Sequence, residues 1–157
     1  MKIRGIRLDD FVNYKKPSTF VIFPYCSMKC DIESNCKICQ NSELMSMPIM
    51  EVPANTIVAH HMNNSITHAV VCGGMEPMDT FEDLLALLSA LRSFTEDDFV
   101  IYTGYNKDEI ADKISILQRY NNVFVKFGRF IPGQKHHLDP ILGVELASPN
   151  QYAERIS

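Results

Sequence analysis

Four short apolar runs, separated by stretches of helical period, limit this chain to a small set of folds. Thr19–Tyr25, Thr67–Cys72, Asp98–Tyr102 and Asn122–Phe127 are nearly continuous in apolar and aromatic residues, as strands buried on both faces are. Residues 55–63 read as a weak helix. Phe81, Leu84, Leu85, Leu88 and Leu91 form one apolar helix face, and Ile110, Ile114 and Leu117 mark another helix over 107–120. Asp79, with Glu82 three positions later, predicts a capping box ahead of the leucine helix. Strands alternating with helices imply βαβ crossovers and a mostly parallel sheet. The expected class is therefore α/β, a single domain over 1–157 with its core at about 19–130 and an irregular cover over 131–157. Ligands of such folds sit beyond the carboxyl ends of the strands. The cysteine-rich loop, Gly73-Gly74 and Thr103-Gly104-Tyr105 each follow a run, so they should converge on one edge.

Composition narrows the function classes. At 157 residues the chain can bury a core without disulfides, and its 46% hydrophobic and 22% charged residues are ordinary for a folded domain. A net charge of −4 with no Lys/Arg run argues against nucleic acid as a partner. No apolar stretch reaches the length of a membrane span. The first ten residues carry charges throughout, unlike a signal peptide. The expected location is cytoplasmic, where clustered cysteines bind metal more often than they pair.

Four of the five cysteines fall between Cys26 and Cys39, directly after the first run. Cys26-x3-Cys30 and Cys36-x2-Cys39 form two pairs separated by five residues. A [4Fe–4S] cluster is held by such thiolates, and three ligands leave one iron open to a small molecule. Structural zinc, the competing metal, takes four ligands, usually in more widely separated pairs. Val71-Cys72-Gly73-Gly74-Met75-Glu76-Pro77 adds a strand end, two glycines that let a ligand approach the backbone, and a carboxylate able to receive an ammonium group.

Together these motifs resemble the radical S-adenosylmethionine (SAM) superfamily, in which Cys-x3-Cys-x2-Cys follows the first strand and Gly-Gly-Glu-Pro the second. Ile38-Cys39-Gln40-Asn41 is similar to the end of that cysteine motif. Ile101-Tyr-Thr-Gly-Tyr105, Gly128-Arg-Phe-Ile131 and Ser148-Pro-Asn-Gln151 resemble segments of the short activating enzymes of anaerobic ribonucleotide reductase, so the likeness runs from about 19 to 152. Two departures stand out: eight residues instead of two lie between Cys30 and Cys39, and Met75 is an extra residue before Glu76.

The resemblance implies an incomplete (β/α) barrel, a [4Fe–4S] cluster on Cys26, Cys30 and Cys39, and SAM held by Gly73, Gly74, Glu76 and Tyr105. Cys36 lies in the insertion Asp31–Lys37 and stays open as an alternative ligand. The implied activity is reductive cleavage of SAM to a 5′-deoxyadenosyl radical. The implied partners are a glycyl radical enzyme, such as an anaerobic ribonucleotide reductase, and a flavodoxin or ferredoxin as electron donor. The alternatives are a radical SAM enzyme with another peptide or small-molecule substrate, and a non-enzymatic zinc module. Cys72 reads as a core residue, and His60, His61 and His68 as surface or helix residues. Lys135-His136-His137 reads as a solvated loop. Asn150 and Gln151 either close the site or satisfy loop amides.

Overall fold

The computed structural model describes residues 1–157. Its strands are β1 (Lys2–Ile3), β2 (Gly5–Asp10), β3 (Ser18–Ile22), β4 (Met50–Glu51), β5 (Ala69–Gly73), β6 (Asp98–Tyr102), β7 (Val123–Phe127), β8 (His137–Asp139), β9 (Val144–Leu146) and β10 (Tyr152–Arg155). The helices are α1 (Lys29–Ser34), α2 (Ala54–Met62), α3 (Phe81–Arg92) and α4 (Ala111–Leu117). Six strands form one sheet in the order β10-β7-β6-β5-β3-β2. The inner four, β3, β5, β6 and β7, run parallel, and the antiparallel β2 and β10 flank them. The four predicted runs are these parallel strands. The sheet is open, with β2 at one edge and β10 at the other, so the molecule is a mixed α/β domain with no closed barrel.

Strand alternation sorts side chains onto two faces. Val21, Val70, Cys72, Phe99, Ile101, Val123, Val125 and Phe127 pack beneath α2, α3 and α4, against Ile57, Leu84, Leu87, Leu88, Leu91, Ile114 and Leu117. Burying one such leucine contributes about 1.5–3 kcal/mol. Cys72 is a fully buried member of this layer, and burial pushes its thiol pKa well up. The other face carries Val71, Val100, Phe124 and Ala153 and is covered by Tyr14, Leu142 and Leu146. The second face has no helix over it, and near the carboxyl ends of the strands it opens into a cleft.

Two expectations need correction, and a third gains a detail. The segment 131–157 is not wholly irregular: β8 and β9 form a hairpin and β10 completes the sheet. Those strands are only three or four residues long, too short to show a period. Asp79 does not cap the leucine helix, which begins after Thr80 without a side-chain cap. Instead Glu76 accepts the Met78 N–H at 3.1 Å and caps a 3-10 turn over Pro77–Thr80. His61, finally, is buried in α2. Its Nδ1 lies 3.0 Å from Thr19 Oγ1, and its Nε2 lies 3.1 Å from Asp97 Oδ2, so it ties α2 to β3 and to the segment just before β6.

Candidate metal centre

The chain leaves β3 through Phe23, whose N–H donates to the Gly73 carbonyl at 2.9 Å, and Pro24. Arg4 secures both ends of the cysteine segment, donating to the Pro24 carbonyl at 2.7 Å and to the Met45 carbonyl at 2.8 Å. Met28 adopts a left-handed conformation, φ 55°, uncommon for a long side chain. That bend lets its N–H reach Cys26 Sγ at 3.3 Å and starts α1, which carries Cys30.

The insertion between Cys30 and Cys39 is a short helix that returns on itself. Asn35, at φ 50°, ends α1, and the Asp31 carboxylate accepts the N–H groups of Ile38 and Cys39, both at 2.9 Å. Cys39 is thereby brought back beside Cys30. Cys26, Cys30 and Cys39 line one cleft of about 580 Å³ at the carboxyl ends of β3, β5, β6 and β7. Cys36 is exposed and lies outside that lining. The three thiols face one cleft, and no three His, Cys, Asp or Glu side chains gather closely enough to hold a single ion.

Burial pushes the Cys26 thiol up to about 12, with the carboxylates of Glu76 and Asp79 adding to the effect, and it also raises Cys39. Thiols held protonated in this way are poor nucleophiles. A bound metal, in contrast, removes the proton outright. Cys26 and Cys39 thus become thiolates through a bound metal and not through their protein surroundings alone.

Glu76 lies on the same cleft, buried, with three donors aimed at it. Besides Met78, Thr103 Oγ1 donates at 2.7 Å and the Gly104 N–H at 2.8 Å. Burial nevertheless outweighs these bonds and raises its pKa to about 7. Gly74 turns the chain into this segment at φ +77°, and a Cβ there would stand 2.7 Å from Ile22 Cγ2. Gly73 sits one residue deeper, against Phe20 and Tyr102. Gly104 packs against both Glu76 and Cys30, where a Cβ would come within 3.6 Å and 3.8 Å of their polar atoms.

Tyr105 lies on the outer side of the cysteine loop, in a small pocket with Cys26, Cys30 and Arg129. Its hydroxyl donates to Asp79 at 2.7 Å, and Lys29 Nζ stands 4.3 Å from its ring centroid. The other Asp79 oxygen accepts the Ser27 N–H at 2.6 Å. Charged groups clamp α1 from the same side. Arg129 makes a bidentate pair with Glu109 at 2.7 Å, and its Nε stands 3.0 Å from Glu33 of α1. The arginine holds the Glu109 carboxyl down at about 2. Asn150 donates to the Arg129 carbonyl at 2.8 Å, while Gln151 accepts the Ala147 N–H at 3.0 Å and lines the cleft.

One residue of the cleft escaped the sequence reading. Lys126 interrupts the apolar run of β7, points to the cleft side of the sheet, and is buried. Its Nζ is bonded only to the carbonyls of Gly128, at 2.7 Å, and Thr103, at 3.5 Å. Burial lowers its pKa to about 8. The signal was a lysine inside a strand that is otherwise wholly apolar, Val-Phe-Val-Lys-Phe.

The model of the 4Fe-4S single cluster domain family matches residues 17–145, which span the cysteines, Glu76 and Lys126. The chain belongs to this family. No curated protein and no solved structure matches it. The family assignment makes the chain an iron–sulfur protein, and three thiols around one cleft are a donor set that fits a [4Fe–4S] cluster.

Proposed function

We propose that the chain is a radical SAM protein in which Cys26, Cys30 and Cys39 hold the cluster and leave one iron facing the cleft. When bound and reduced, such a cluster supplies the electron that cleaves SAM to methionine and a 5′-deoxyadenosyl radical. The observation that carries this reading is that the cleft holding the thiols also holds a buried anion and a buried cation. Glu76 accepts the ammonium of the methionyl group, and Lys126 donates to its carboxylate. The left-handed turn at Gly74 keeps a side chain out of the approach to Glu76. Tyr105, on the outer face, steadies the cysteine loop through Asp79 rather than touching SAM. The cleft opens to solvent past Gln40 and Asn41, both exposed, which suits a macromolecular substrate. By resemblance that substrate is a glycyl radical enzyme, such as an anaerobic ribonucleotide reductase, and a flavodoxin or ferredoxin is the electron donor.

Anaerobic reconstitution with iron and sulfide, followed by SAM and dithionite, tests the reading. The expected product is 5′-deoxyadenosine, and its persistent absence from protein with a full cluster removes the enzymatic proposal. A glycyl radical signal in a candidate partner, seen by electron paramagnetic resonance, tests the activating role separately.

A further inference from the structure

The stretched spacing between Cys30 and Cys39 should weaken any three-cysteine site, because a longer connection costs more entropy to close. The structure compensates for it at one side chain. Asp31 follows Cys30 directly, and its Oδ1 accepts the N–H groups of two consecutive residues, Ile38 and Cys39, at 2.9 Å each. Its own backbone takes part in the same turn: its N–H donates to the Met28 carbonyl, and its carbonyl accepts the Cys36 N–H at 3.2 Å. Residues 32–37 lie between these anchors and are all exposed. They contribute no side chain to the cleft. The loop is excluded from the site, and Asp31 draws its two ends together.

We infer that Asp31 is the positioning residue that restores a three-ligand site across the insertion, by fixing the Cys39 backbone against the first turn of α1. A carboxylate suits this task because one oxygen can accept two amide hydrogens, and charge-assisted bonds of this kind are about twice as strong as neutral ones. The role needs the acceptor oxygen and not a metal–carboxylate bond, so asparagine should preserve it in part and alanine should not. The inference rests on Cys39 being a ligand, and the control variants are chosen to test that point separately.

The experiment compares wild type with Asp31→Ala, Asp31→Asn, Cys36→Ala and Cys39→Ala, all reconstituted anaerobically. The readouts are iron and sulfide per chain, the paramagnetic resonance signal of the reduced cluster, and the rate of iron loss to a chelator. Far-UV circular dichroism and melting confirm that each chain is folded. Losing two bonds to a charged acceptor should speed iron loss from Asp31→Ala roughly tenfold or more. Cys36→Ala, which keeps the carboxylate, should stay within about twofold of wild type with its signal unchanged, and Asp31→Asn, which keeps the acceptor oxygen but loses the charge, should fall between wild type and Asp31→Ala. Cys39→Ala should lose the cluster. The inference is overturned if folded Asp31→Ala holds iron like wild type, or if Asp31→Asn fails to rescue. A cluster retained in Cys39→Ala overturns the ligand assignment itself, and with it the role of Asp31.

Discussion

Lys126 and Glu76 place opposite charges in one cleft, and neither charge is paired with an ionised side chain of the protein. Buried charges are costly unless neutralised, and under the proposed function the zwitterionic end of SAM neutralises both. Lys126→Met should therefore weaken SAM binding by about 10- to 100-fold, the worth of a buried charge-assisted bond. Decarboxylated SAM, which has no carboxylate to lose, should bind the variant as it binds wild type. Titration calorimetry on cluster-loaded protein checks this, and an equal loss for both ligands would remove Lys126 from the carboxylate role. At this scale the placement of Cys26, Cys30, Cys39, Gly74 and Glu76 on one cleft was legible in the sequence. Cysteines and a glutamate after two glycines announce themselves by type. Lys126 and His61 did not, because a lysine in a strand and a histidine in a helix are each ordinary until burial is known.

The helices and turns show a different pattern of success. Periodicity found α3 and α4 because their leucines and isoleucines recur on one face, but it misjudged how α3 begins. Asp79 has the chemistry of a cap, and it spends both oxygens across the fold on Ser27 and Tyr105. Asp79→Ala should accordingly leave the helix content unchanged while amide exchange at Ser27 speeds up by an order of magnitude, the loss of one charge-assisted bond. Faster exchange along α3 would instead restore the capping role. The turn after β5 makes a second prediction at this scale. Gly74 and Gly133 both have positive φ, but only Gly74 has a neighbour that a methyl group would strike. Gly133→Ala should cost about 1 kcal/mol for backbone strain alone, and Gly74→Ala about 2–4 kcal/mol. Equal losses in chemical denaturation would mean that Ile22 yields freely. The short strands β8, β9 and β10 were illegible in the sequence because three or four residues are too few to show an alternation, and β10 finds its partner only in the earlier strand β7.

For the molecule as a whole, the two buried charges shape how stability depends on pH. The folded pKa of Glu76 is raised from 4.5 to about 7, so its contribution is present at low pH and is lost as pH rises through 7. Lys126 is lowered from 10.5 to about 8, so stability is regained as pH rises from 8 towards 10.5. Each swing is of order 3 kcal/mol. The metal-free, ligand-free chain should thus be least stable between pH 7 and 8, where both groups are charged. Urea denaturation from pH 5 to 10 checks this, and a maximum in that window would contradict it. SAM should raise stability most in the same window, because it neutralises both charges there.

The cleft draws its parts from β3 through β7 and on to Gln151, and those parts leave the ribosome at different times. Roughly 110 residues separate Cys39 from Gln151. At about 5–20 residues per second, the thiols emerge roughly 5–20 s before the last wall of their cleft. During that interval no shaped site encloses the cysteines. Stable cluster binding is therefore expected only once β7 has emerged. Stalled chains ending before Val123 should take up no stable cluster under reconstitution, and full uptake by such chains would show that the cysteine loop alone suffices.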